Sequence, residues 1–580
     1  MSKPNTNKKR AARPRKRSSD TDNGLNTFSM HAANKAATPM INAVGAELAE
    51  QPHLGFAGGP TLADLDHETA AQRYVRQALA SKSVSGFAVS KTAGPDVSFK
   101  SLGTETIPLT GTVTVKFRQT LNNIPIYGSL VTVELGKDNS LVGLSSAIGE
   151  PTQVNPVAKV SPADATSAVK KYGGSQKDLD KVVPRIYFYY DETAGKWRLA
   201  YIFEDVRITP SRGKAQGLRE RLMDYVVDAH TGKVVAELPR YAHMAVVDES
   251  AMDGLGVLRK FTVESSGNKK LMRNTALNVQ TFDFSFRDPD VQSRSLPGKP
   301  IVSPPNWKAE AVSAHANACA VAEFFRTVLR RNNIDNKGGP MNSSINCLVA
   351  GESEPGNVWR NAFWDGKQMV FGQVKFNGNL LSISVALDVV MHEMFHGVTD
   401  NESRLEYARQ PGALNESYSD IFGVIVANFN KPDTSKWNWK LGERLNTRGR
   451  PFRDMSNPSS LGQPENMKNY RNLPVTEAGD WGGVHINSGI HNFAAYKMLT
   501  AKDAAGKPAL KPKEVAAIFY LANTQRLSRT SQFSDSRRAV VDSALSLFMN
   551  LPVSQKRVKL GAIDDAFDAV GIKGTRVVVT

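Results

Sequence analysis

Residues 392–396 read His-Glu-Met-Phe-His, and twenty residues later Asn415-Glu416-Ser417-Tyr418-Ser419-Asp420 follows inside a second apolar, helix-like stretch. Histidines four apart lie on one face of a helix, about one turn from each other. Both imidazoles can then reach one zinc ion at roughly 2.0–2.1 Å. Glu393 lies between them and leans toward the open side of that ion, where water can bind. Two histidines leave zinc underligated. Glu416 supplies a third ligand, and the fourth position stays open, as a catalytic site requires. Glu416 and Asp420 are again four apart and share a helix face. Asp420 can therefore accept the other N–H of a ligand histidine, fixing its tautomer and raising its basicity.

The short motif alone is weak, since an amphipathic helix with packed or solvated histidines carries the same letters. The second element decides. Ala413, Leu414, Ile421, Phe422, Val424 and Ile425 mark a buried helix, a poor place for a merely solvated carboxylate. The metzincin variant is excluded. It needs a glycine three residues after the second histidine and a third histidine three further on; Thr399 and Glu402 stand there.

The 580 residues suffice for about three or four domains. No run of apolar residues is long enough for a membrane-spanning helix. Cys319 and Cys347 are the only cysteines, which excludes a disulfide-rich scaffold and leaves both one bridge and two buried thiols open. Net charge is +17, and residues 1–20 carry eight Lys/Arg against one acid, Asp20. This reads as a disordered basic arm. Nucleic acid is a disfavoured partner for it, because no aromatics are interleaved to stack bases. A secretory signal should continue into an apolar core, but residues 18–42 are polar and broken by Asp20, Asp22 and Pro39, so no standard signal peptide is visible.

The expected organisation is α+β. A basic arm over 1–60 precedes two small α+β modules, 61–150 and 151–240. In the first, a helix is expected over 68–90, and Val113, Val115 and Phe117 alternate against Val131, Val133 and Leu135 across the turn Asn122-Asn123. In the second, a helix opens at Ser161-Pro162, and strands follow at 185–191, 197–206 and 222–236 with a turn at Asp228–Lys233. A β-rich part, 241–397, contains a helical stretch at 307–333 and ends in the helix of the histidines. A mainly helical part, 398–580, follows.

From about residue 70 onward the chain resembles proenzymes of the thermolysin family of zinc endopeptidases. Four blocks carry the likeness: Asn361-Ala362-Phe363-Trp364; His392–His396 continuing into Gly397-Val398-Thr399-Asp400; Gly412-Ala413-Leu414-Asn415-Glu416 through Gly423; and Asp480-Trp481-Gly482-Gly483-Val484-His485-Ile486-Asn487-Ser488-Gly489. Residues 70–240 resemble the family's two propeptide modules. The resemblance implies an active-site cleft between the β-rich and helical halves. It implies that His392, His396 and Glu416 hold one zinc ion and that Glu393 is the general base. Asp420 orients His392. His485 and Tyr407 donate hydrogen bonds to the oxyanion, and Asp480 orients His485. Arg453 binds a substrate carbonyl, while Asn361 and the backbone of Ala362 hold the substrate chain. Leu380, Ile383, Val389 and Phe452 line an apolar pocket, so the residue after the cut should be hydrophobic. Polypeptides are the implied substrates, and the propeptide the intramolecular inhibitor, in a secreted, self-processing enzyme. Calcium is doubtful. Where the family's double calcium site has three of its acids, this chain has Ala427, Asn438 and Lys440, with Asp388 and Glu443 remaining.

Two other function classes compete. One is a catalytically inactive zinc-containing binding protein, which no residue supports, since every implied catalytic position is filled. The other is a nucleic-acid-associated protein acting through the arm, whose binding would collapse with salt.

Overall fold

Val113, Val115 and Phe117 stand opposite Leu135, Val133 and Val131 in antiparallel register, so one face of this hairpin is continuously apolar. Helix α1 (His67–Ala80) covers it with Ala70, Ala71, Tyr74, Val75 and Ala78, and Asp66 caps α1 by accepting from the Thr69 N–H. Asn122 and Asn123 form the tight turn with both φ angles positive, 52° and 63°, a mirror-image turn that suits the twist of a hairpin. A computed structural model describes residues 23–34, 62–81, 97–151, 153–172, 175–177, 182–209, 221–239, 257–266, 269–289, 296–303, 307–445 and 450–578. It also describes residues 37, 39–41, 44, 179 and 244–245. The basic stretch 1–20 and most of the segment 240–256 lie outside the described residues.

The first module is a six-stranded sheet, and its outer strand is Leu25–His31, paired antiparallel with Leu141–Gly149. This corrects the expected arm: residues 25–31 belong to the module. Only Leu25, Phe28 and Met30 mark the strand within polar surroundings, and its partner is distant in the chain, so no local pattern announces it. In the second module, helix α2 (Pro162–Tyr172) starts at Ser161, whose hydroxyl accepts from the Asp164 N–H at 3.1 Å. Ala165 and Val169 on α2 share a core with Phe188, Leu199, Phe203 and Val227 of a five-stranded sheet. The Asp228 turn closes because its carboxylate accepts the N–H groups of His230 and Thr231, both at 2.9 Å.

Beyond the modules, six strands of an eight-stranded sheet run in the order Met244–Ala245, Trp359–Trp364, Met369–Phe376, Met341–Cys347, Val279–Arg287, Arg273–Asn274, with Lys299–Pro300 and Asn379–Ser382 pairing beside Val279–Arg287 and Met369–Phe376. Helix α3 (Ala309–Thr327) packs on it and ends before the expected residue 333, where Arg330 and Asn333 turn to positive φ. Helices α4 (Leu387–Asn401), α5 (Arg409–Asn428), α6 (Asp480–Thr500), α7 (Pro512–Leu521), α8 (Phe533–Leu547) and α9 (Val553–Ala569) build the second half. One continuous core joins the α3 side of the sheet to these helices. Cys319 and Cys347 are buried free thiols. No helix among the described residues is long and apolar enough to cross a membrane.

The two modules meet the helical half along a charged seam. Arg526 pairs with Glu134 at 2.5 Å, Arg529 with Glu204 at 2.7 Å and Arg409 with Glu192 at 3.1 Å. In all three the arginine comes from the helical half and the carboxylate from the modules. Lys116 answers in the other direction, donating to the Thr524 carbonyl at 2.6 Å, inside the π-turn Ala522–Arg526.

Candidate metal centre and cleft

Helix α4 buries its whole length from Val389 to Thr399, and α5 buries nearly every residue from Gln410 to Asn428. Side chains four apart on each helix therefore meet across a dry contact. His392 Nε2 and His396 Nε2 lie 3.0 Å apart, and each is 3.5 Å from an oxygen of Glu416. Tetrahedral zinc with bonds near 2.0–2.1 Å needs ligand separations of roughly 3.3 Å. His392 Nδ1 lies 2.8 Å from Asp420 Oδ1, and His396 Nδ1 lies 2.8 Å from Asn415 Oδ1. Each ring proton thus belongs on Nδ1. Two imidazole lone pairs and a carboxylate oxygen then face one another with no proton between them, a donor set that a cation completes. Burial lowers His392 to about 4 and His396 to about 3, keeping both neutral as ligands must be.

Glu393 is fully buried, and neither of its oxygens makes a hydrogen bond among the described residues. Burial, then the neighbouring Glu416, raises its carboxyl well above the ordinary range. A cation held by the triad is the counterweight to that repulsion. Asp420 is pushed up by burial but held down to about 2 by Arg453 and His392. Arg453 is 5% exposed, with Nε 2.7 Å from Asp420 and Nη2 3.4 Å from Glu416.

The far wall comes from two segments with unusual backbone. Asp480, Trp481, Gly482 and Gly483 all have positive φ before α6 becomes regular. This coil lets the Asp480 carboxylate reach His485 twice, at Nδ1 (2.5 Å) and at the backbone N–H (2.9 Å). His485 Nε2 then lies 3.1 Å from the Tyr407 hydroxyl, which donates to Glu416. Burial pulls the His485 pKa down, but the Glu416 and Asp480 carboxylates outweigh it and the net shift is upward. A protonated His485 has both ring N–H groups as donors.

On the near wall, Asn361 and Ala362 lie on the strand Trp359–Trp364 and pair antiparallel with Ala245 and Met244. The four expected pocket residues do not share one open surface. Ile383 and Val389 are fully buried in the core, Phe452 packs against that core, and Leu380 is 39% exposed. Sequence reasoning assigned no role to Asn415 or Asn492. Asn415 precedes Glu416, four residues before Ser419, which also reaches His396 Nδ1 at 3.1 Å. Asn492 follows His485 by seven residues on α6, two helical turns, so its face was readable from spacing.

Three family models match the chain. The thermolysin metallopeptidase catalytic-domain model covers residues 250–400, its alpha-helical-domain model 403–572, and the fungalysin/thermolysin propeptide motif 97–148. Bacillolysin of Bacillus amyloliquefaciens is 31% identical over 474 residues, spanning 78% of this chain and 81% of that protein. This chain belongs to the thermolysin family of metallopeptidases. The neutral protease NprE of Bacillus pumilus is 36% identical over 327 residues, 55% of this chain and 96% of that protein. Among solved structures, the precursor of protealysin, a metalloproteinase from Serratia proteamaculans, is 28% identical. It covers 55% of this chain and 92% of that one at a TM-score of 0.42. As a thermolysin-family member the chain is a zinc-dependent endopeptidase made as a proenzyme, with a β-rich half followed by a helical half. The His392–His396–Glu416 cluster is the group of potential metal ligands found among the described residues.

Proposed function

We propose that the precursor matures by cutting itself between about residues 236 and 250, and that the mature enzyme cleaves peptide bonds on the N-terminal side of hydrophobic residues. The observation that carries the reading is the convergence of His392, His396 and Glu416 with the unbonded Glu393 carboxylate beside them. His392, His396 and Glu416 hold the zinc ion. When bound, zinc polarises the scissile carbonyl and lowers the pKa of water toward about 7. Glu393 takes a proton from the attacking water and delivers it to the leaving amine. His485, aligned by Asp480, and Tyr407 donate to the oxygen that becomes negative. Asp420 holds His392 in its ligand tautomer. Arg453 keeps Asp420 ionised and turns an N–H toward a substrate carbonyl. Of the expected apolar pocket, Leu380 and Phe452 keep exposed surface, so they are the members placed to meet a hydrophobic side chain.

The pairing of Met244–Ala245 with Asn361–Ala362 supports self-processing. An extended segment of the linker lies along the strand assigned to substrate, adding one strand to the sheet. The propeptide modules act as intramolecular inhibitor until the cut, and the enzyme works outside the cell. Calcium plays no large part. A Glu393→Gln precursor should stay at full length and bind zinc, while the wild type shortens to roughly the length of its catalytic part. Equal maturation of the purified variant would sink self-processing, and loss of zinc with the fold intact would sink the assignment of Glu393 as base.

A further inference from the structure

Behind the metal centre a line of buried polar side chains crosses from α5 to α6 and α8. Asp420 Oδ2 accepts from Asn492 Nδ2 at 2.8 Å. Asn492 Oδ1 accepts from the Ser417 hydroxyl at 2.7 Å. Ser417 Oγ lies 2.8 Å from His491 Nδ1, and His491 Nε2 lies 2.9 Å from Ser536 Oγ. Ser536 Oγ is in turn 2.9 Å from the Tyr418 hydroxyl. All six side chains are within one percent of full burial or nearly so, and none meets solvent.

The direction of every bond in this line follows from proton counting. An ionised Asp420 accepts only, so the Asn492 amide must present its NH₂ there and its oxygen to Ser417. Ser417 has one proton and gives it to Asn492, so it must accept from His491 Nδ1–H. Burial lowers His491 to about 3, so the ring is neutral and carries one proton. Its Nε2 therefore accepts from Ser536, and Ser536 accepts from Tyr418. No member could reverse without leaving a buried donor facing a donor, which costs the desolvation of an unsatisfied group. The His491 ring is held in place by stacking on Tyr418 and Phe533 at centroid distances of 5.4 and 6.0 Å.

We propose that Asn492, held by Ser417 and His491, is a positioning residue for the metal centre: the relay fixes the Asp420 carboxylate against His392 and so sets zinc affinity from two hydrogen bonds behind the ligand. It rests on the reading of His392 as a zinc ligand. Asn492 does not touch the metal or substrate. It holds Asp420 Oδ2, leaving Oδ1 for His392 Nδ1 at 2.8 Å. Arg453 Nε also lies 2.7 Å from Asp420 Oδ2, so loss of Asn492 loosens the carboxylate without freeing it.

The test uses the full chain in a Glu393→Gln background, with zinc affinity measured by competition against a chromophoric chelator. Asn492→Ala should raise the zinc Kd about tenfold, the lower end of effects for groups that support a ligand. His491→Phe keeps the aromatic stack but removes both ring nitrogens, and should raise Kd by a smaller, several-fold amount. The melting temperature of the metal-free chain separates a packing role, which would lower stability and leave Kd alone. An unchanged Kd in both variants overturns the proposal whatever the melting temperature does. Should Asn492→Ala not fold, His491→Phe and Asn492→Ser carry the same comparison. His392→Ala is the control. If it retains tight zinc, the ligand assignment itself has failed, an outcome distinct from an intact zinc site indifferent to Asn492.

Discussion

The metal centre and the seam between the propeptide modules and the helical half are both clusters of buried charge, built on opposite plans. In the metal centre, opposing groups come from neighbouring turns of the same helices: His392 and His396 on α4, Glu416 and Asp420 on α5. Their separation is set by helix geometry, and Glu416 and Asp420 are each held by more than one partner. In the seam, Arg526 meets Glu134, and Arg529 meets Glu204 and Asp224, across hundreds of residues of chain. Neither side's backbone fixes the pairing, and cutting the linker can free one partner from the other. Breaking one member of a buried pair costs about 3–5 kcal/mol by leaving an uncompensated charge, so each pair holds firmly only while both modules are docked. The difference separates two functions. The metal centre must survive maturation unchanged, whereas the seam must come apart.

Substitutions at the two clusters should therefore fail in different ways. At the cleft, His485→Ala should lower kcat by about 10²–10³-fold, the effect of removing one oxyanion donor. KM should change far less, because the bond forms mainly in the transition state. Zinc content and the docked propeptide should be unaffected. Steady-state kinetics on a synthetic peptide decides: a loss confined to KM would move His485 from transition-state donor to binding residue.

The same contrast explains what could be read from the sequence. The i, i+4 spacing of His392/His396 and Glu416/Asp420 survives translation into space, because both segments are helical and buried. The hairpin Val113–Leu135 was legible because alternation and the Asn122-Asn123 turn are both local. What escaped was non-local. The strand Leu25–His31 has three apolar residues and a distant partner. Trp481 packs against both Tyr407 and the core of the second module, which nothing in its neighbours signals. The seam uses ordinary surface residue types, and only the fold shows that the arginines of its ion pairs lie on one side and the carboxylates they pair with on the other. The apolar pocket was inferred from the family; Ile383 and Val389, wholly enclosed in the core, could be placed there by no local pattern.

A smaller effect is expected at the seam, with pH. Glu406 lies beside Glu192, with Arg529, Arg409 and Tyr127 around it, and its backbone N–H donates to the Arg529 carbonyl at 2.8 Å. Burial first, and the Glu192 charge second, raise its pKa to about 8. The docked state thus holds a proton that an undocked, hydrated Glu406 would release near the ordinary carboxyl value. That contribution is fully present below the ordinary value and is lost as pH rises through about 8. Self-cleaved protein, quenched with a zinc chelator, should release its propeptide modules about tenfold more readily at pH 9 than at pH 6, after discounting for partial exposure. Glu406→Gln should flatten the difference. Equal dissociation at both values by size-exclusion chromatography, or the same slope in the variant, would remove Glu406 as the titrating group.

Calcium should have the smallest effect of all, and it tests whether a third charged cluster exists. Of the acids that could form one, Asp388 accepts the Gly442 N–H at 2.8 Å, and Glu443 accepts from the Asn438 amide at 2.7 Å. Both carboxylates are already engaged by protein donors. Lys440 and Ala427 are exposed, and the first places a cation where a bridging carboxylate is needed. Calcium takes six to eight oxygens, usually with several carboxylates among them, and this set offers too few. A site with a millimolar Kd gains only about 0.4 kcal/mol when calcium equals that Kd. For a catalytic part of this size that is a shift of less than about 1 °C in melting temperature. Thermal unfolding with and without millimolar calcium, at fixed zinc, is the measurement. A rise of about ten degrees or more would require a strong site, with Asp388 and Glu443 giving up their present donors to the ion.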